Sequence, residues 1–363
     1  MVSRMFLINA YPWVMSAVRA VATLILLTLA HGNVLAATDA GSVSRPNAKH
    51  AWSVSLDNDL FAPLVSSDKD FTGGMALTYS SGGDAKYWRP LDRLQSRFDR
   101  FMGIREPRAV TTSMEFGVYG FTPDDTRSVE LVSSDRPYAS LVYLSSSRMY
   151  ALSSDSSVST SLTWGLLGTD IFGDMQRGIH RAIDNAPVRG WHNQISDGGE
   201  LTARYQVAYH KYWQSDDVRS RLKTTLFSSV GYLTEAGVAL STRRGLISSP
   251  DHRFNPELIS YGERVTDTVA MPFRGKENYF WGGVALKGRL YNAFLQGQFR
   301  DSAHTLEYRD LRPMIGEAWL GYTFTIGRQF RASYVIRAHT SEIRTGKGDR
   351  GHLWGSLILS RYL

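Results

Sequence analysis

Apolar and polar side chains alternate along much of this chain. Phe330 to His339 alternates apolar with polar or small residues, and so do Ala318 to Thr325 and Leu201 to His210. A period of two means an extended strand with one face against something apolar and the other face polar. Segments of about ten residues recur with this character. They lie near 51–57, 72–80, 112–121, 139–152, 156–169, 200–213, 220–234, 277–289, 291–300, 315–325, 329–340 and 352–362. That makes twelve predicted strands, and closure of an antiparallel bacterial barrel requires an even number. Alternation alone fits two folds: a soluble sandwich with its apolar face inward, and a membrane barrel with that face toward lipid. A length near ten suits a tilted membrane strand and favours the barrel. The final run, Trp354 to Leu363, closes on an apolar residue as barrel strands do, although Arg361 shares the parity of Leu363.

Three regions break the pattern. Residues 1–36 read as a signal peptide: Arg4 and Arg19, an apolar core from Ala20 to Ala30, and small residues at Val34-Leu35-Ala36. The core is too short to anchor in a bilayer, and Met15 is an alternative start to Met1. The mature barrel is then 37–363. Within it, 171–200 is a long connection with a helix over Gly173–Asp184. Met175, Ile179 and Ile183 make an apolar stripe there, and Gln176 and His180 lie on a neighbouring one. Residues 241–276, with Arg243-Arg244 and three prolines, read as a second long loop.

Composition narrows the classes. The 363 residues include no cysteine, which removes disulfide frameworks, thiolate metal sites and cysteine nucleophiles. Lys and Arg number 41 against 34 acids, a formal charge of +7. Loss of Arg4 and Arg19 with the leader leaves 7 − 2 = +5. Such an excess suits phosphate-rich partners, and equally a solvated surface. Aromatics reach 12%, with 18 Tyr and 9 Trp, as expected where rings collect at membrane interfaces.

The candidate chemistry is concentrated at two places. Asp57-Asn58-Asp59 ends the first strand and Asp68-Lys69-Asp70-Phe71-Thr72-Gly73-Gly74 opens the second. Oxygen-bearing side chains so close together suit a hard cation such as calcium, and they are also ordinary turn formers. His180 shares a helical face with Gln176, ahead of Gly190-Trp191-His192-Asn193-Gln194. No Gly-x-Ser-x-Gly elbow is present. A histidine acting on water would need no covalent nucleophile.

These stretches, in this order and with Asp135-Arg136-Pro137-Tyr138-Ala139 between them, resemble the lipid A 3-O-deacylase family of Gram-negative outer membranes. The resemblance spans nearly the whole mature chain. It implies a twelve-stranded barrel with its active site at the outer rim, between the wall and a helix in an extracellular loop. It implies calcium-dependent hydrolysis of the ester holding the 3-position acyloxyacyl group of lipid A. It makes His180 the base, with Gln176, Asn58 and Thr72 as other catalytic positions. Asp59 and then Asn58 are the expected calcium ligands. Arg136, Tyr138 and Trp191 are expected to bind substrate, Arg136 through a phosphate or else within a rim ion pair. Glu200 is a supporting candidate. The chain departs from the family pattern at Phe71, Ser140 and His192, and Glu200 lacks a following proline. The expected partner is lipopolysaccharide in the outer membrane, with no nucleic acid and a monomeric barrel. Three other readings remain at this point: an outer-membrane phospholipase with a Ser–His pair, a passive porin-like barrel, and a soluble ligand-binding sandwich.

Overall fold

The computed structural model describes residues 50–62, 70–83, 85–105, 109–182, 184, 186–213, 217–266 and 276–362. The leader over 1–36, Asp68, Lys69 and Ile183 lie outside the described residues. The strands are β1 (His50–Asn58), β2 (Asp70–Gly82), β3 (Thr111–Thr122), β4 (Ala139–Ser153), β5 (Ser156–Leu167), β6 (Glu200–Trp213), β7 (Ser220–Gly231), β8 (Leu233–Leu246), β9 (Asn278–Asn292), β10 (Met314–Ile326), β11 (Phe330–His339) and β12 (His352–Tyr362). Each pairs antiparallel with its sequence neighbours, and β1 pairs with β12, so the sheet closes.

The alternation resolves the choice between sandwich and barrel. Trp52, Val54 and Leu56 of β1 are exposed, while Ser53 and Ser55 between them are buried. Val238 and Leu240 of β8, Val284 and Leu286 of β9, and Leu357 and Leu359 of β12 are likewise exposed. Apolar side chains thus cover the outside and polar ones the inside. This inversion is stable only where the outside meets lipid.

The predicted strand count was reached through two compensating errors. β8 was read as the tail of one strand and the start of the loop at 241–276. Only Tyr232 separates β7 from β8, next to Gly231 (φ +138°) at the end of β7, so no polar run marks the corner. The expected strand at 291–300 is instead the end of β9, a single helical turn over Ala293–Gln296 and a loop. A helix over Arg89–Phe101 (α1), between β2 and β3, was not anticipated. The anticipated helix is present as Asp170–Ala182 (α2).

The interior is filled from the end that carries the chain termini. Between β8 and β9, residues 253–266 are all buried. Glu257 meets Lys223 at 2.7 Å and accepts from Thr225 and Ser241. Glu263 pairs with Arg204 at 3.2 Å and accepts from Thr163 at 2.6 Å. Arg264 pairs with Asp57 of β1, and Arg337 of β11 donates to the Pro256 carbonyl at 2.6 Å. Such a plug makes sense in a polar lumen, where buried charges must be paired.

Candidate active site

The candidate residues lie mainly on the outer face of β1 to β4, at the end opposite the termini. In β1, Asp57 points inward to Arg264, so its neighbour Asn58 points outward. Asn58 is held by its own turn: Nδ2 donates to the Thr72 carbonyl at 2.8 Å, and Oδ1 accepts from the Leu60 amide at 2.8 Å. Gly73 permits this close approach, since a Cβ there would lie 2.7 Å from the Asp57 carbonyl oxygen. A bulge between Phe71 and Gly73 inserts Thr72 as an extra residue opposite β3. Phe71 stays inside against Tyr261 and Trp354, and the Thr72 hydroxyl meets that of Thr122 at 2.7 Å.

α2 lies across the outer face of β3 and β4. The Phe172 ring covers Gly120, where a Cβ would sit 2.4 Å from the ring. Phe172 and Trp191 form an apolar cluster with Val118, Tyr138 and Val188, against which Val142 and Met175 pack. The face turned to the wall is Phe172, Gln176 and His180, one residue per four along the helix, and all three are buried. The expected apolar stripe is not the buried one: Met175 packs at the edge of the cluster, while Ile179 is 52% exposed and Ile171 55%. Outside a barrel, the side of a helix facing away from the protein meets lipid, so its apolar residues belong there.

Two hydrogen bonds fix the polar groups of this stripe. Trp191 Nε1 donates to Gln176 Oε1 at 2.8 Å, so the Gln176 amide nitrogen is directed elsewhere. Gly173 lets the indole in, since a Cβ there would lie 2.8 Å from Trp191 Cγ. His180 Nδ1 lies 2.7 Å from the Ala186 carbonyl oxygen. A carbonyl only accepts, so Nδ1 carries the proton and Nε2 is the basic nitrogen.

The predicted oxygen cluster does not converge. Asp57 is turned into the lumen. Asp70, at φ +66°, is engaged by Arg350 at 2.7 Å and Arg136 at 3.6 Å. Among the described residues, no group of three His, Asp or Glu side chains is placed to hold a metal ion. Calcium takes six to eight oxygens. Asn58 and buried Asp59 alone do not make such a site.

Other expectations also change. Arg136 is 1% exposed, lies over the Phe121 ring at 4.5 Å, and pairs with Glu342 at 3.4 Å. It is the rim ion pair of the sequence reading and is not presented to a phosphate. Burial alone would raise the Glu342 carboxyl, but Arg289, His352 and Arg136 outweigh it and hold the group well below the usual carboxylate range. Tyr138 and Trp191 are buried against each other at 5.0 Å and support α2. Glu200 accepts from Ser196 and from the amides of Phe299 and Arg300. It therefore clamps two loops together and has no bond to α2 or the β1–β2 turn among the described residues.

A family model described as "Outer membrane protein LpxR" matches residues 21–363. The chain belongs to the LpxR family. The solved structure of LpxR from Salmonella typhimurium superposes with a TM-score of 0.65 at 15% identity, covering 86% of this chain and 100% of that one. An outer-membrane channel from Pseudomonas putida F1 gives a TM-score of 0.40 at 8% identity, covering 90% and 99%. No curated protein matches the chain. As an LpxR family protein, it is an outer-membrane barrel. In this family member Ser140, an outward residue of β4, donates to Gln194 at 3.0 Å and to the Thr169 carbonyl at 2.9 Å. Both bonds tie the ends of the loop carrying α2 to the wall. Sequence reading missed Phe172 and Thr122. Four-residue spacing from Phe172 through Gln176 to His180 was the available signal for the first, and strand parity for the second.

Proposed function

We propose that this LpxR family protein hydrolyses the ester that holds the 3-position acyloxyacyl group on lipid A. The observation that carries this reading is the wall-facing stripe of α2. It sets a tautomer-fixed His180 beside Gln176 on the outer side of the barrel wall, the side a membrane lipid can reach. His180 Nε2 takes a proton from water as the oxygen attacks the ester carbonyl. The tetrahedral oxyanion needs donors, and the Gln176 amide and the Thr72 hydroxyl are the neutral groups suited to that role. Collapse breaks the bond to the sugar oxygen, which takes the proton from His180. The products are a free 3-hydroxyl and an acyloxyacyl carboxylic acid.

The rim at which this occurs is the one facing outward from the cell. The proton transfers run without a cation; were calcium to take part, Asp59, next to Asn58 at the end of β1, would be its carboxylate ligand, with chelation abolishing turnover and added calcium restoring it. The filled lumen argues against a passive pore. Ser159 does meet His210 at 2.9 Å, but both are buried inside the barrel, away from lipid. That placement argues against a phospholipase built on them.

The test is mass spectrometry of lipid A from a Gram-negative host expressing the chain, beside His180→Ala. Loss of one acyloxyacyl unit in the wild type alone supports the proposal. Unchanged lipid A in both, with both barrels folded, rejects it.

A further inference from the structure

α1 is the second helix on the outer wall. Strand parity places Arg148 and Tyr150 of β4, Thr160 of β5 and Tyr205 of β6 on the outside. α1 covers them. Arg148 pairs with Asp92 and Asp99, each at 3.2 Å, Gln95 donates to Thr160 Oγ1 at 3.2 Å, and Tyr150 and Tyr205 both donate to Asp99. The only two acids of the helix are thus turned to the wall.

The opposite side is different. Arg89, Arg93, Arg97 and Arg100 fall on one exposed stripe, and Lys86 and Arg105 extend it at either end. None of these six side chains has an ion pair or hydrogen bond among the described residues. Trp88 and Phe101 stand beside the stripe, 52% and 84% exposed. Phe98 stacks on Tyr205 at 5.2 Å and pins the helix.

A solvated face has no use for bare rings, and a buried face has no use for unpaired cations. Both together suit a bilayer interface, where arginines reach headgroup phosphates and rings sit among the upper acyl chains. α1 is also continuous with the lipid-facing wall, because it replaces the apolar belt over polar positions of β4 and β5. We propose that α1 docks on the phosphate layer of the phospholipid leaflet at the termini end of the barrel. Arg89, Arg93, Arg97 and Arg100 bind the phosphates, and Trp88 and Phe101 insert. This inference needs only a barrel in a membrane and is independent of the deacylase reading.

The full-length chain is reconstituted in phosphatidylcholine vesicles with and without phosphatidylglycerol, beside Arg89→Gln/Arg93→Gln/Arg97→Gln/Arg100→Gln. The temperature at which the folded gel band converts to the unfolded one is read for each. Phosphatidylglycerol is expected to raise it for the wild type, and the shift should be lost in the variant. An equal shift in both overturns the proposal. Because the chain has no cysteine, Phe101→Cys carries a single spin label that needs no other change. A label shielded from an aqueous relaxation agent and accessible to oxygen supports insertion. A label fully open to the aqueous agent overturns it and points to a protein or peptidoglycan partner.

Discussion

α1 and α2 are both thirteen residues long and both lie on the outer wall, yet they are seated by opposite means. α1 is held by charge, through Asp92 and Asp99 around Arg148. α2 is held by shape, with Phe172 over Gly120 and Trp191 over Gly173. Arg148 facing lipid unpaired would cost up to about 1 kcal/mol near the membrane interface, and α1 removes that cost. The wall-facing polar groups of α1, Asp92, Gln95 and Asp99, are consumed in holding it. In α2 the packing of two rings fixes the helix, so the polar stripe can serve chemistry. On the proposed function, the helix that carries chemistry and the helix that does not are told apart by which residues do the anchoring.

The largest expected effect is on His180. His180→Ala should lower deacylation by about 10²–10⁴-fold and leave the heat-resistant gel band unchanged. If activity persists, α2 is as inert as α1 and the contrast collapses. Arg148→Ala should do the reverse. It leaves two buried carboxylates without their cation and should cost about 3–5 kcal/mol, read as a lower conversion temperature, with turnover of the surviving folded protein unchanged. Trp191→Phe keeps the ring and removes the N–H that holds Gln176. It should lower kcat about tenfold with KM unchanged, and have no further effect in a Gln176→Ala background. Equal losses in both backgrounds would make Trp191 a packing residue only.

The smallest effect concerns Glu342, in the β11–β12 loop at the same end of the barrel as α2. Glu342 has a lowered folded pKa, so its stabilisation is fully present above the unfolded value of about 4.3 and is lost as pH falls below it. Glu342→Gln should convert at a lower temperature than the wild type at pH 7, by about 1 kcal/mol. The gap should narrow steadily as the pH is lowered from about 4.3. A gap independent of pH would rule out charge as its source.

Much of this was legible in the chain. Strict period two placed eleven of the observed strands near their positions, because membrane strands must expose apolar residues at every second position. β8 escaped because its corner with β7 has no polar loop. α1 escaped because its contacts are polar, and polar contacts leave no apolar stripe to read. In α2, helical spacing was enough to put Gln176 and His180 on one face, and the structure keeps them together there. The Asp57-Asn58-Asp59 run misled for a reason visible in hindsight: adjacent strand residues face opposite ways, so Asp57 and Asn58 belong to different sides of the wall. Arg136 looked like a ligand group because charge in a sequence carries no sign of burial.

The segment inside the barrel has a mechanical consequence. Through Glu257, Glu263, Arg264 and the Pro256, Gly262 and Val265 carbonyls it bonds to β1, β3, β4, β5, β6, β7, β8 and β11, like a hub joined to a wheel. A hollow tube flattens under sideways load, whereas a spoked one keeps its roundness. The curvature of β1 to β4 is therefore set from within, and the outer surface on which α2 rests stays the same shape as the surrounding membrane thickens, thins or crowds.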